Sequence, residues 1–435
     1  MGKLRASAGE VDLNPPIGGW MTGFAARVLP TTGVHDPIMA RAVLIDDGGT
    51  RLAIVSCDLL GFASAAVAEM RSRIAAKTSI PAGNILICCT HTHSGPSSMP
   101  LRGWLAVVDE QWLEEAKTRI VELVSSLPDR LEPALFAYGS TSVPGIGYNR
   151  QDPARHTDEE LIAISFERKD GSAIATMINY ATHAVVLGPK NLEYSGDFPG
   201  ATARQLGAAR GGVGMYLQGA CGDVDPEVYR CKGWGQGAFE DCEEIGAKLA
   251  DGAIDALANA PRTTDVALAT TSRIVNVPLD PPPTIEGLNR LLAQFQADQE
   301  AALVEPGDRV AELVAVAMQQ WANELKAKIE TDAVPATIPA ELFTAAINDL
   351  RLVTLPFETY TDIGLGTKSG VKPLKGVFIG YSNGLLGYCP TAWAKDQGGY
   401  GADASCRWFP ELVTAIGYGA AELLTEEGSR LGKSI

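Results

Sequence analysis

The sequence predicts a mixed α/β fold, with a sandwich-like core of mixed sheets and one helical insertion. Apolar runs of strand length alternate along the chain with segments of helical periodicity. Asp-Gly turns join neighbouring apolar runs, as in β-hairpins. The chain has 435 residues and 46% hydrophobic content, enough to bury a large core. Elements of both kinds in alternation favour sheets covered by helices and leave the strand order open.

The first predicted unit is a hairpin followed by a helix and a buried strand. The segment RAVLIDDGGTRLAIVSCDLLG (41–61) reads as two strands joined by an Asp-Gly-Gly turn. SAAVAEMRSRIAAKTS (64–79) has helical spacing, and NILICCTH (84–91) is a short apolar run. His91 therefore lies just beyond a strand, where sheets of α/β proteins bind their ligands.

The middle of the chain also contains a predicted helix, a hairpin and a buried strand. A helix is predicted at 109–127, and a second hairpin at 160–184 has its turn at Asp170-Gly171. His183 lies just past the second strand of that hairpin. The segment GVGMYLQGACGDVDP (212–226) reads as another buried strand that runs into a loop rich in Gly and Asp.

The last third begins with a segment of different composition. Residues 281–335 are rich in Ala, Gln and Glu at helical spacing, which indicates a helical insertion or lid. Strands resume at LRLVTLPFE (350–358) and GVFIGYSN (376–383), and a terminal helix is predicted at PELVTAIGYGAAELL (410–424).

Composition excludes several classes of partner. The net charge of -16 disfavours nucleic acid, which such a chain repels. No apolar run reaches the roughly 20 residues of a membrane helix, and neither a signal peptide nor a basic amphipathic anchor is seen. The eight cysteines form no CxxC pair. These features predict a cytoplasmic protein with free thiols that acts on a small molecule. A homo-oligomer stays open.

The histidines point to a metal site. The chain has only five, and His91, His93 and His183 all follow apolar strands. On an extended backbone, the His-x-His pair places both imidazoles on one face. Glu358 interrupts an apolar run, and a carboxylate in such a place is usually paired or bound to a cation. Two His and one Glu would make a catalytic zinc set, although a structural, hydrogen-bonded role for His91 is equally open here.

Seven motifs carry a resemblance to a known family. The segments PPIGGWMTGFAAR, SCDLLG, THTHSGP, NYATHAVVLG, GACGDVDP, LPFET and SNGLLGYCPTAWAKDQGGYG occur in the order found in neutral/alkaline ceramidases. The resemblance extends from about residue 6 to residue 425. It implies that residues 1–435 form a single catalytic domain, without the C-terminal immunoglobulin-like domain of those enzymes.

The resemblance also implies a ligand set. Zinc would be bound by His91, His183, Glu358 and Tyr388. His93 would be a second imidazole that faces the bound water or the substrate.

The same resemblance implies roles for three further residues. Arg150 and Tyr400 would line the cleft at the polar end of the substrate and take part in catalysis. Gly23 would form a turn whose backbone approaches the substrate.

Two departures from the family limit the substrate assignment. Those enzymes have SSNLGDVSPN where this chain has QGACGDVDPE, so Gly219 stands at the place of a serine. The segment CPTAWAKDQGGYG also differs from its family counterpart, which alters the wall of the cleft. A small soluble amide, lactam or lactone is therefore at least as good a substrate candidate as ceramide.

The function predicted from these residues is zinc-dependent hydrolysis of a carbon–nitrogen amide bond by metal-activated water, with His93 protonating the leaving amine. The alternatives are an esterase, lactonase or lactam hydrolase, and a zinc-containing binding protein without catalysis. A nucleophilic Cys221 is a further alternative. Asp223 and Asp225 offer oxygen ligands for a second cation, Ca²⁺ or Mg²⁺, although a turn role for Asp223 is favoured.

Overall fold

Three β-sheets pack around a shared apolar core, and helices cover their outer faces. The computed structural model of the protein describes residues 4–103, 107–304 and 307–435. The strands are β1 (Arg5–Asp12), β2 (Gly33–Val34), β3 (Met39–Asp46), β4 (Arg51–Cys57), β5 (Ile85–Cys89), β6 (Glu132–Pro133), β7 (Leu135–Ser142), β8 (Gly147–Asn149), β9 (Glu160–Glu167), β10 (Ala173–Tyr180), β11 (Glu193–Tyr194), β12 (Val213–Gln218), β13 (Val224–Pro226), β14 (Leu268–Pro278), β15 (Thr337–Ile347), β16 (Leu350–Thr354), β17 (Glu358–Thr359), β18 (Lys375–Ile379) and β19 (Tyr388–Cys389). The helices are α1 (Ser64–Lys77), α2 (Glu110–Ser126), α3 (Asp197–Arg210), α4 (Val228–Lys232), α5 (Phe239–Ala258), α6 (Ile285–Ala302), α7 (Arg309–Glu330), α8 (Thr361–Gly370), α9 (Ala392–Gln397) and α10 (Ala420–Lys433).

The first sheet has the strand order β5-β4-β3-β1-β6. The antiparallel pair β3–β4 is the first predicted hairpin, which is confirmed. After α1 the chain returns as β5, which lies parallel to β4. The carboxyl ends of β4 and β5 therefore meet at one edge, and this brings Leu60 and His91 together.

The second sheet has the order β12-β10-β9-β7 and contains the second predicted hairpin, β9–β10. Strand β12 lies parallel to β10, as the buried run at 212–218 requires. His183, which follows β10, is therefore adjacent to the loop that follows β12.

The third sheet has the order β14-β15-β16-β18. Strands β16 and β18 are parallel, and Glu358 lies four residues beyond the end of β16. Helices α6 and α7 occupy the connection between β14 and β15, so the segment predicted as helical near 281–335 is helical. That the whole chain forms one catalytic domain stays a prediction.

The shared core explains why the strands are apolar on both faces. One buried cluster takes residues from all three sheets, among them Ile54, Ile164 and Leu352. The opposite face of the first sheet packs against α1 and α2, that of the second against α3 and α5, and that of the third against α8 and α10. A strand covered on both faces reads as a continuous apolar run.

The terminal helix begins later than predicted. It starts at Ala420, whereas the pattern predicted helix from residue 410. Gly419 has φ of 82°, a left-handed conformation that breaks any helix running into α10. Before it, Ile416 and Gly417 pair with the end of β14, where the backbone N–H of Gly417 donates to the Pro278 carbonyl at 2.8 Å. Tertiary pairing therefore replaces helix at 410–419.

Across the described ranges, none of the helices combines the length and apolar character needed to cross a membrane.

A buried arginine, Arg102, links the helical insertion to the segment at 406–412. Arg102 is buried, and its Nε donates to Glu324 of α7 at 2.8 Å. Its terminal nitrogens donate to the backbone carbonyls of Cys406, Arg407, Phe409, Pro410 and Leu412. One guanidinium thus supplies donors to the carbonyls of a short 3-10 helix and of the irregular segment that follows it.

Replacing this arginine should destabilise the protein strongly. Arg102→Met leaves several buried carbonyls without donors, so we expect a loss of about 3 kcal/mol or more in the free energy of unfolding. Urea unfolding measures it. Arg309→Met, at an exposed side chain of α7, is the matched control and should change stability by less than about 0.5 kcal/mol. Equal stability of the two variants would contradict this role of Arg102.

Candidate metal centre

Each of the three sheets delivers one polar side chain to a common point. His91 follows β5 of the first sheet, His183 follows β10 of the second, and Glu358 follows β16 of the third. All three side chains are buried. Strand ends hold side chains rigidly because the sheets behind them are packed.

The backbone at His91 differs from the prediction. The sequence predicted an extended His-x-His segment, but His91 has φ of 64°, in the left-handed region. The two imidazoles of the pair nevertheless meet, with 3.2 Å between Nε2 of His93 and Nε2 of His91. The expected proximity is therefore right, while the reason given for it, alternation along a strand, is wrong. Left-handed backbone at a non-glycine residue costs free energy and is found mainly at functional sites.

Two of the imidazoles are anchored by backbone carbonyls. Nδ1 of His91 lies 2.8 Å from the carbonyl oxygen of Leu60, and Nδ1 of His183 lies 2.7 Å from that of Cys221. A carbonyl oxygen can only accept, so each Nδ1 carries a proton and donates it. Each Nε2 is then left with a lone pair when the ring is neutral.

The two Nε2 atoms face the same carboxylate oxygen. Oε2 of Glu358 lies 3.2 Å from Nε2 of His91 and 3.3 Å from Nε2 of His183. Neither Glu358 Oε2 nor His183 Nε2 has a hydrogen-bond partner among the described residues. Burial acts to raise the pKa of Glu358, but His91 and His183 outweigh it and lower that pKa well below its usual range. Buried acceptors that face one another in this way fit a bound cation.

His93 belongs to the cluster but is held differently. The donor atoms of His91, His93 and His183 all lie within 4.8 Å of one another. Nδ1 of His93, however, has no hydrogen-bond partner in the described part of the chain. Burial, and then the neighbouring His91 and His183, lower the pKa of His93 well below its usual value. The ring is therefore a neutral imidazole.

Gly23 determines where the His93 ring sits. A Cβ at residue 23 would lie 2.5 Å from Nδ1 of His93, and Gly23 has φ of 108°. Only glycine combines that backbone conformation with so close an approach. Gly23 also lines the cavity in front of the cluster.

Tyr388 and Arg150 lie at the other side of the cluster. Tyr388 pairs with Glu358 in the short parallel ladder β17–β19, and its ring lies 6.4 Å from that of His183. Nη2 of Arg150 donates to the phenol oxygen of Tyr388 at 3.0 Å. Burial acts first to raise the pKa of Tyr388, and Arg150 opposes this shift without cancelling it.

The cluster opens into a cavity of about 740 Å³. His93, Arg150, Tyr388 and Tyr400 all line it. Tyr400 is 53% exposed, and its ring lies 5.7 Å from that of Tyr388, edge to face. A volume of this size accommodates a small organic molecule.

The cysteine alternative does not agree with the geometry. Cys221 is fully buried, its thiol lies 3.1 Å from the hydroxyl of Tyr381, and burial raises its pKa strongly. A nucleophilic thiol needs exposure and a low pKa. Gly219 is equally enclosed, because a Cβ there would lie 2.8 Å from the Cβ of Ala181. A serine at residue 219 would have no room.

The two acids of the following loop have separate partners. Oδ1 of Asp223 accepts from the N–H and the hydroxyl of Thr361 at 2.7 and 2.8 Å, and Oδ2 accepts from Asn149 at 2.8 Å. These bonds occupy both oxygens of Asp223 with partners from other segments of the chain. Asp225 pairs instead with Arg150 at 3.3 Å. The pair of acids therefore does not form the second, Ca²⁺ or Mg²⁺, site considered above.

Sequence reasoning missed the aromatic wall of the cavity. Phe24, Tyr148, Tyr229 and Trp234 line it together with Asp225. They come from three separate segments, so no local periodicity marks them. The one local signal is Gly-Trp-Gly at 233–235, where a large apolar side chain stands between two glycines of positive φ.

The fold and the site define a mixed α/β protein in which a buried cluster of imidazoles and a carboxylate lies at a cavity, with His93 and Tyr388 forming the cavity floor. Residues 7–278 match the family described as neutral/alkaline non-lysosomal ceramidase, N-terminal. The chain belongs to this family.

Individual relatives agree with the family. The neutral ceramidase of Pseudomonas aeruginosa is 24% identical over 253 residues, which cover 52% of this chain and 38% of that protein. The matched part thus spans well under half of the relative's length. The crystal structure of neutral ceramidase from the same organism superposes with a TM-score of 0.75 at 19% identity, covering 100% of this chain and 75% of that one. A structure titled as ceramidase complexed with C2 gives the same TM-score, 0.75, and identity, 19%, covering 99% and 75%. The fold is therefore that of the ceramidase structures.

Metal binding should depend on the anchored imidazoles and the carboxylate. We expect the purified protein to bind about one Zn²⁺ per chain, measured by elemental analysis, and His183→Ala and Glu358→Gln to lose it. His156→Ala is the matched control, because that histidine is exposed and pairs only with Asp362. Full metal content in His183→Ala would contradict the assignment.

Proposed function

We propose that this protein is a zinc-dependent hydrolase that cleaves a carbon–nitrogen amide bond with metal-activated water, as a ceramidase-like enzyme. One observation carries the proposal. His91 and His183 both donate from Nδ1 to a carbonyl, and both turn an Nε2 lone pair toward Glu358 Oε2, at 3.2 and 3.3 Å. That orientation is the one that metal-ligating histidines adopt.

His91, His183, Glu358 and Tyr388 would hold the metal. Zn²⁺ bound there would supply a nucleophilic water at neutral pH and polarise the substrate carbonyl. The chain contributes orientation: the carbonyls of Leu60 and Cys221 fix the tautomers of the two imidazoles. Arg150 holds the Tyr388 phenol oxygen by a hydrogen bond of 3.0 Å, and this guanidinium favours the phenolate.

His93 has the position of a proton carrier. Its Nε2 lies at the donor cluster, while its Nδ1 lacks the carbonyl anchor that the other two rings have. A neutral imidazole there takes a proton from the attacking water at Nε2 and gives it to the leaving nitrogen, which would otherwise depart as an amide anion. Gly23 keeps the ring in place.

Arg150 and Tyr400 would act on the substrate from the cavity wall. Their guanidinium and phenol hydroxyl groups are hydrogen-bond donors in that wall, and they are suited to the oxygen that gains charge during attack.

Replacing the two histidines of the His-x-His pair, one at a time, should have different effects. We expect His91→Ala to lose metal, and His93→Ala to keep metal and lose about 10²–10⁴-fold in kcat on a chromogenic anilide. Gly23→Ala should resemble His93→Ala, since its Cβ would displace the same ring. Metal content and steady-state rates measure both effects. Equal loss of zinc from His91→Ala and His93→Ala would contradict the division of roles.

Hydrolysis should involve no covalent intermediate on the enzyme. Cys221 is buried, and Gly219 has no side chain to acylate. We therefore expect Cys221→Ala to keep most of its activity, and a chromogenic ester to show no burst of product in the first turnover. Stopped-flow absorbance measures the burst. A burst that equals the enzyme concentration and disappears in Cys221→Ala would establish thiol catalysis instead.

A further inference from the structure

One carboxylate in the cavity wall is only partly satisfied. Asp225 lines the cavity and is 6% exposed. Its Oδ1 accepts from Nη1 of Arg150 at 3.3 Å, whereas Oδ2 is not among the enclosed side-chain atoms that lack a hydrogen-bond partner and therefore opens on the cavity. A carboxylate oxygen that opens on a cavity is available to a ligand.

Arg150 makes only one hydrogen bond to Asp225, through Nη1. Its Nη2 donates to the Gly222 carbonyl and to Tyr388, so the guanidinium is held mainly by the floor of the site. Two further guanidinium groups already lie over rings of this wall: that of Arg27 over Phe24, at 5.1 Å, and that of Arg230 over Tyr148, at 5.5 Å. Arg230 also pairs with Glu227 at 3.3 Å. Among the described residues, Asp225 therefore has a single ion-pair partner, and at a long distance.

Aromatic rings surround the same part of the cavity. Phe24 and Tyr229 both contact Trp234, at centroid distances of 5.9 and 6.2 Å. Tyr148 is the direct partner of Asp225 in the antiparallel pair β8–β13. Burial, and then the charge of Asp225, raise the pKa of Tyr148, as expected for adjacent groups. Ring faces carry negative potential and attract cations.

We propose that this wall binds an ammonium group of the substrate, with Asp225 as its counter-ion and the rings of Tyr229 and Trp234 as its sides. A carboxylate oxygen that opens on the cavity, and two rings that no guanidinium covers within the described residues, together suit a cation better than a neutral chain.

The position of the wall restricts the substrate class. Arg150 donates to both Asp225 and Tyr388, so its guanidinium group separates the Asp225 carboxylate from the Tyr388 phenol oxygen. Where the proposed amide hydrolysis holds, on which this step rests, the substrate is an amide with an ammonium group a few bonds from the scissile bond.

A matched pair of probes tests the inference without turnover. Choline carries a quaternary ammonium, and 3,3-dimethylbutanol is its neutral isostere; the quaternary nitrogen cannot ligate a metal. By calorimetry we expect the metal-loaded protein to bind choline about tenfold more tightly than the alcohol. Asp225→Asn should remove most of this preference. Glu227→Gln, which removes a nearby carboxylate outside the cavity lining, should retain it.

A second variant tests the inference even if Asp225→Asn does not fold. Trp234 is 57% exposed, so Trp234→Leu should fold normally and reduce the preference for choline. Equal binding of the two probes by the wild-type protein would overturn the inference, and so would an unchanged preference in both variants. Hydrolysis of neutral amides with equal probe binding contradicts this inference alone, whereas a clear choline preference without hydrolysis of any amide contradicts only the proposed function.

Discussion

The site depends on one electrostatic constraint. Two imidazole nitrogens and a carboxylate oxygen lie close together in the protein interior. Nε2 of His91 and Nε2 of His183 lie 3.2 and 3.3 Å from one carboxylate oxygen of Glu358, and Nε2 of His93 lies 3.2 Å from that of His91. Such an arrangement is repulsive without a positive charge. Arg150 donates to Tyr388 and forms no hydrogen bond with either histidine among the described residues. A cation bound at this point, as proposed above, would supply that charge.

Three sheets are needed to hold such a cluster together. One sheet alone could place two of these side chains at neighbouring strand ends, but the third would come from the same plane. Here His91, His183 and Glu358 come from three sheets that share a core, so they approach one point from different directions. The packed core resists the outward relaxation that repulsion would otherwise drive. The left-handed backbone at His91 is a local cost of this arrangement.

The sequence was sufficient for the local part of this picture. Periodicity and Asp-Gly turns identified both hairpins and the strand before His91, because these signals lie within a few residues. The sequence could not predict which backbone carbonyls accept from the two imidazoles. Leu60 meets His91 only because β4 and β5 are parallel neighbours, and Cys221 meets His183 only because β10 and β12 are. Strand order is a tertiary property, and so is the pairing that keeps residues 410–419 out of helix.

Arg150 connects the floor of the cavity with its wall. The same guanidinium donates to Tyr388, a residue of the proposed ligand set, and to Asp225 in the wall. A ligand that draws Asp225 toward itself changes the hydrogen bond that this arginine makes to Tyr388, and therefore the electron density of the phenol oxygen. Under the two proposals, occupancy of the wall is therefore linked to the chemistry at the floor. The group bound in the wall would then affect rate as well as affinity, because the linkage acts on a residue of the proposed ligand set.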